Sequence, residues 1–98
     1  MNGVVKATRF NSREEVKAAG SPPGAYILVD QPGGIRGIEF LCPCCGTPSY
    51  LNLIASHPGP FWSWNGDEDK PTLKPSIFNT GMKCRWHGYL TDGEFVPC

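Results

Sequence analysis

Two segments repeating one layout constrain this chain more than any other feature: Cys42-Pro43-Cys44-Cys45-Gly46 and Cys84-Arg85-Trp86-His87-Gly88. Each places two metal-ligating side chains at i and i+3, with glycine directly after the second. In such a turn both ligands reach one ion, intervening amides donate to the sulfurs, and glycine turns left-handed without a Cβ clash. Two turns supply three thiolates and one imidazole, a tetrahedral set that closes structural zinc sites. Cys42, Cys45, Cys84 and His87 are therefore the expected ligands of one Zn2+ ion. The first turn offers three sulfurs for two places, so Cys44 is an alternative ligand, and Cys98 is an alternative to His87. His57, before Pro58 and Gly59, reads as a loop histidine. Free cysteines buried as small hydrophobes are the inert alternative, and a turn before glycine is a poor place to bury one.

The rest of the chain explains why a staple is needed. Leu, Ile, Val and Phe make up 21 of 98 residues, close to the lower edge for a self-sufficient core. Twelve glycines and ten prolines make long helices improbable. A chain this short forms one domain, 1–98, and below such sizes a metal often supplements the core. Residues 1–41 read as a strand, helix and hairpin, and 42–98 as the zinc and Trp-rich part.

One helix is expected: Ser12-Arg13-Glu14-Glu15 is a capping box, and Gly20 with Ser21-Pro22-Pro23 ends what it starts. Before it, Gly3 to Phe10 suits a strand. After it come Ala25 to Val29 and Ile35 to Leu41 as a hairpin, then Ser49 to Ala55, Phe61 to Trp64, Thr72 to Phe78, and a closing hairpin about Thr91-Asp92-Gly93. Pro75 limits its segment to an edge or a bulge. The expected fold is a small metal-stapled β-rich (α+β) domain of antiparallel strands and hairpins with one short N-terminal helix.

Nine basic residues balance nine acidic ones, which disfavours a general nucleic-acid binder and a polybasic membrane-surface protein. No apolar run approaches the roughly 20 residues of a membrane span. The first residues lack a signal-peptide layout, and five cysteines are an odd count for a disulfide framework. A cytoplasmic setting is expected.

The stretch Trp62 to Ile77 (WSWNGDEDKPTLKPSI), with the two Cys-containing turns, resembles a family of small phage and bacterial proteins. Its members carry a cysteine knuckle, a W-x-W-x-G element, P-T-L-x-P-S-I, and a Cys/His segment ending in a D-G hairpin. Some members bear the label ammonia monooxygenase. This chain has no copper ligand set or membrane span for that chemistry. The resemblance covers the last six-tenths of the chain and implies a zinc-binding accessory protein of a phage or mobile element. A second, local resemblance links Cys84 to Gly88 with the second box of Rieske iron–sulfur proteins. Cys42-Pro43-Cys44 puts a cysteine where the first box has histidine, leaving one histidine for the outer iron.

Neither a nucleophile–base pair nor the H-x-E…P-C-x-x-C arrangement of zinc deaminases stands out. The favoured expectation is a non-enzymatic protein-binding module for a host or phage protein. Its surface would join aromatic anchors Phe61, Trp62 and Trp64 to a charged rim of Asp67, Glu68 and Asp69. The alternatives are a zinc hydrolase, Rieske-like electron transfer, a Cys44 or Cys98 thiol enzyme using His57, and single-strand binding through Tyr50, Trp62, Trp64 and Trp86.

Overall fold

The computed structural model describes residues 3–54, 59–79 and 84–98. Ala55 and His57, to which the sequence assigns a strand end and a loop, lie outside the described residues. The chain runs through β1 (Val5–Lys6), β2 (Thr8–Arg9), α1 (Arg13–Ala18), β3 (Ala25–Gln31), β4 (Gly34–Leu41) and β5 (Pro48–Asn52). It continues through β6 (Ser63–Trp64), β7 (Leu73–Lys74), β8 (Ile77–Phe78), β9 (His87–Thr91) and β10 (Glu94–Pro97). This is the β-rich architecture with one short helix that composition and turn chemistry call for. Among the described residues, no helix is long and apolar enough to cross a membrane.

Among the described residues three sheets form, ordered β1-β10-β9-β8, β2-β3-β4-β5 and β6-β7. The expected antiparallel pairing holds except at β2, which runs parallel to β3 because α1 lies between them and returns the chain in the same direction. The expected N-terminal strand is in fact two. The buried Ala7 sits between them, its N–H on the Gly93 carbonyl at 2.9 Å, while the Thr8 N–H meets the Gly24 carbonyl at 3.1 Å. The chain thus leaves one sheet and enters the other at Ala7, stitching both together. The segment 72–78 is divided in the same way, with β7 and β8 in different sheets and Pro75 between them.

α1 starts as its sequence requires. Ser12 is extended, and its hydroxyl accepts from the Glu15 N–H at 3.1 Å. Glu15 accepts from the Asn11 N–H rather than from that of Ser12. The helix buries none of its residues and is tied to β4 by a two-pronged Arg13–Glu39 pair at 2.7 and 2.9 Å.

The core is one cluster between the sheets, including Tyr26, Ile38, Phe40, Leu51, Leu73, Ile77, Leu90 and Phe95. Phe40 stacks on Phe95 with centroids 5.3 Å apart, joining β4 to β10, and Trp86 meets Phe95 edge-on at 5.9 Å. Cys42 belongs to the same cluster, so the Cys42–Gly46 turn is rooted in the core.

Gly46 turns as expected, with φ 77° and its N–H on the Cys42 carbonyl at 2.8 Å. Gly88 has a different reason to be glycine. It lies within β9, where an added Cβ would stand 2.3 Å from the Val96 carbonyl oxygen and 2.6 Å from the Trp86 ring. Replacing Gly88 with Ala should destabilise the fold by roughly 1–3 kcal/mol, the usual cost of overpacking. A denaturant melt reads this directly.

Candidate active site

Strand register places a serine and a histidine together on the outer face of the first sheet. β8 and β9 are antiparallel, with Ile77 opposite Gly88 and Phe78 opposite His87. Ile77, Gly88 and Leu90 point into the core, so Phe78, His87 and Tyr89 point outward. Ser76, two positions before Phe78, shares its face and lies diagonally from His87. The Ser76 hydroxyl oxygen and His87 Nε2 are 3.1 Å apart. The Phe78 ring lies against the imidazole with centroids 4.9 Å apart and planes 29° apart, fixing the ring on one side. With the tautomer that leaves Nε2 unprotonated, the Ser76 O–H donates to it. That is the starting geometry of a nucleophile and its general base.

From the backbone side, Ser76 is held by a tryptophan. The Trp62 indole N–H donates to the Ser76 carbonyl at 3.3 Å, and the Trp62 N–H donates to the Asn52 carbonyl at 2.8 Å. Trp62 therefore bridges β5, through its backbone, and the residue that carries the hydroxyl, through its indole.

The four expected zinc ligands part company. Cys42, Cys45 and Cys84 bring their sulfurs within 4.8 Å of one another, and Cys42 Sγ and Cys84 Sγ are 3.5 Å apart. His87 is not in this group, and its Nε2 lies beside the Ser76 hydroxyl instead. Cys44 and Cys98 also stay outside it, both exposed. Cys98 is fixed elsewhere, its N–H donating to the His87 carbonyl at 3.0 Å. The second Cys-x-x-His turn is thus a branch point, one end going to the sulfurs and the other to a hydroxyl.

Tetrahedral zinc with Zn–S bonds of about 2.3 Å separates its sulfurs by about 3.8 Å, so this spacing fits one ion. Burial pushes the Cys42 thiol up, against the Cys44 and Cys45 amides that act to lower it. Cys45 is held down to about 6, chiefly by the Thr47 hydroxyl at 3.2 Å from its sulfur. The Asn79 side-chain NH2 is buried without a hydrogen-bond partner among the described residues, and it acts to lower the Cys42 thiol. An orphan donor beside converging sulfurs suits thiolates, the state a metal requires.

The aromatic and acidic segment is largely occupied by internal contacts. Trp62 and Trp64 pack against the core, and only Phe61 of the three aromatics is strongly exposed. Arg9 pairs with Glu68 at 3.1 Å and Asp69 at 3.3 Å, and the Tyr26 hydroxyl donates to the Glu68 carbonyl. Burial, helped by Asp69, pushes the Tyr26 phenol up to about 12, which keeps it a donor. One Asp67 carboxylate oxygen accepts from the Asp69 and Lys70 amides.

The sequence carries no local signal of the paired hydroxyl and imidazole. Ser76 sits in P-T-L-x-P-S-I, which reads as an extended segment bounded by Pro75, and the spacing of His87 from Cys84 points to a metal. Eleven positions separate them, and only the register of β8 on β9 brings them together.

Comparison with known proteins gives an independent direction. Residues 11–98 match a family described as bacterial ubiquitination-like system serine protease (BubE). No curated protein and no solved structure matches. The match overturns the expectation of a non-enzymatic role, since the family is named for protease chemistry. Small size and the lack of a local nucleophile motif point the other way, and neither excludes a dyad assembled by strand pairing. With 88 of 98 residues matched, the chain belongs to the BubE family of bacterial ubiquitination-like system serine proteases.

Proposed function

We propose that this chain is a serine peptidase in which Ser76 is the nucleophile and His87 the general base. It would cleave amide bonds at the C-terminal carboxyl of a ubiquitin-like modifier. The observation that carries the reading is the 3.1 Å approach of the Ser76 hydroxyl to His87 Nε2. His87 takes the hydroxyl proton as Ser76 Oγ attacks the amide carbonyl, then returns it to the departing amine. Water, activated by the same imidazole, hydrolyses the acyl-serine ester. The Phe78 ring stacks on the imidazole and restricts its orientation through these steps.

Cys42, Cys45 and Cys84 would hold zinc, whose contribution is a structural cross-link between the turn after β4 and the entry to β9. That link fixes the segment delivering His87, three residues beyond Cys84. The sulfur spacing supports this reading.

The test uses the full chain and a ubiquitin-like modifier extended at its C-terminus by a short peptide or joined to a lysine amine. Mass spectrometry should find the modifier released with a free carboxyl by the wild type and intact with Ser76→Ala. A modifier left intact by the wild type, or cleaved equally by the variant, would contradict the assignment. Replacing Trp62 by Phe keeps most of the packing but removes the indole N–H. One neutral hydrogen bond contributes about 0.5–1.5 kcal/mol, so cleavage should slow by roughly 2–12-fold. The expected change lies in kcat, with KM little altered.

A further inference from the structure

We infer that Phe78 and Arg85 form a substrate subsite beside the dyad, taking a peptide in which a large apolar side chain adjoins an acidic one. This rests on Ser76 and His87 being the reacting pair. Phe78 is 49% exposed although it lies against the His87 ring, so an apolar surface stands open within one side chain of the hydroxyl. A peptide whose carbonyl reaches Ser76 must lay a neighbouring side chain near that ring. Tyr89, the next outward residue of β9, is 46% exposed and extends the apolar face beyond the dyad. Scattered exposed apolar residues are ordinary on surfaces, whereas two flanking a nucleophile on one sheet face form a substrate-sized platform.

Arg85 adds the charge preference. Its backbone is held at φ 50°, a conformation uncommon for a residue with a side chain, and its guanidinium carbon stands 5.7 Å from the Phe78 ring centroid. Among the described residues, Arg9 and Arg13 have carboxylate partners, whereas Arg85, like Arg36 over the Tyr50 ring, has none; of these two, only Arg85 stands beside the dyad. A cation stacked on an aromatic ring, without an internal counter-charge, pairs with an incoming carboxylate. Phe78 and Arg85 would therefore read adjacent substrate positions, one apolar and one acidic.

A proteome-derived peptide library digested with the full chain, with cut sites read by mass spectrometry, tests the subsite. The wild type should enrich Phe, Tyr, Leu or Met at one position flanking the cut and Asp or Glu at its neighbour. Phe78→Ala should lower the apolar-over-glycine preference by about tenfold. Arg85→Glu should exchange the acidic preference for Lys or Arg. Because each readout is a ratio between peptides, slower overall cleavage does not imitate it. Cuts without these preferences, or preferences unchanged in both variants, overturn the subsite. Absence of any cut overturns it too. Reaction of Ser76 with a fluorophosphonate then shows whether the dyad stands without the subsite or falls with it.

Discussion

Ser76→Ala should reduce hydrolysis by at least about 10³-fold while leaving the melting temperature nearly unchanged. The rate loss would follow from removing the atom proposed to form the acyl intermediate, as measured for serine–histidine enzymes. The stability change is small because Ser76 is half-buried and its hydroxyl bonds to an exposed imidazole. His87→Gln should bring a loss of similar order, since the hydroxyl would then have no base to take its proton. The double variant should be no worse than either single one, because two residues that act as a unit lose their effect once. Additive losses would show that they act separately. Steady-state rates for the four proteins provide the comparison.

The second large effect concerns the sulfurs. Cys42→Ser should abolish metal binding and unfold much of the chain. Cys42 has no solvent exposure and belongs to the core cluster. Structural zinc contributes about 10–16 kcal/mol in small zinc-dependent folds, comparable with the roughly 5–15 kcal/mol of an entire domain. A chelator should act in the same direction, read as a large fall in melting temperature with zinc recovered by elemental analysis. Cys44→Ser and Cys98→Ser should be mild, because both thiols are exposed and outside the group of three. His87→Gln is the informative contrast. It should retain the metal and lose activity, separating the two ends of the Cys-x-x-His turn.

Local chemistry made much of the fold legible. The Ser12 helix cap, the β3–β4 hairpin and the Asp92-Gly93 turn follow from residues acting on their neighbours. The convergence of Cys42, Cys45 and Cys84 was legible because thiolates at that spacing have few other uses. What stayed hidden depends on partners remote in sequence. Ala7 gives no sign that the chain changes sheets there, since the acceptor of its N–H is Gly93. Gly88 matches a turn glycine by motif, yet it is required by the Trp86 ring and the Val96 carbonyl. His87 looked like a ligand because its neighbour Cys84 is placed like one. Its proposed role depends on Ser76, just ahead of β8, lying beside it, a matter of register that composition and spacing do not encode.

The most direct test of the dyad is covalent capture. The full chain is treated with a fluorophosphonate, and the adduct is located by peptide mass spectrometry. One adduct per chain at Ser76, slowed strongly by His87→Gln, is the predicted result. An adduct at another serine, or none under conditions where a known serine peptidase reacts fully, would contradict the assignment.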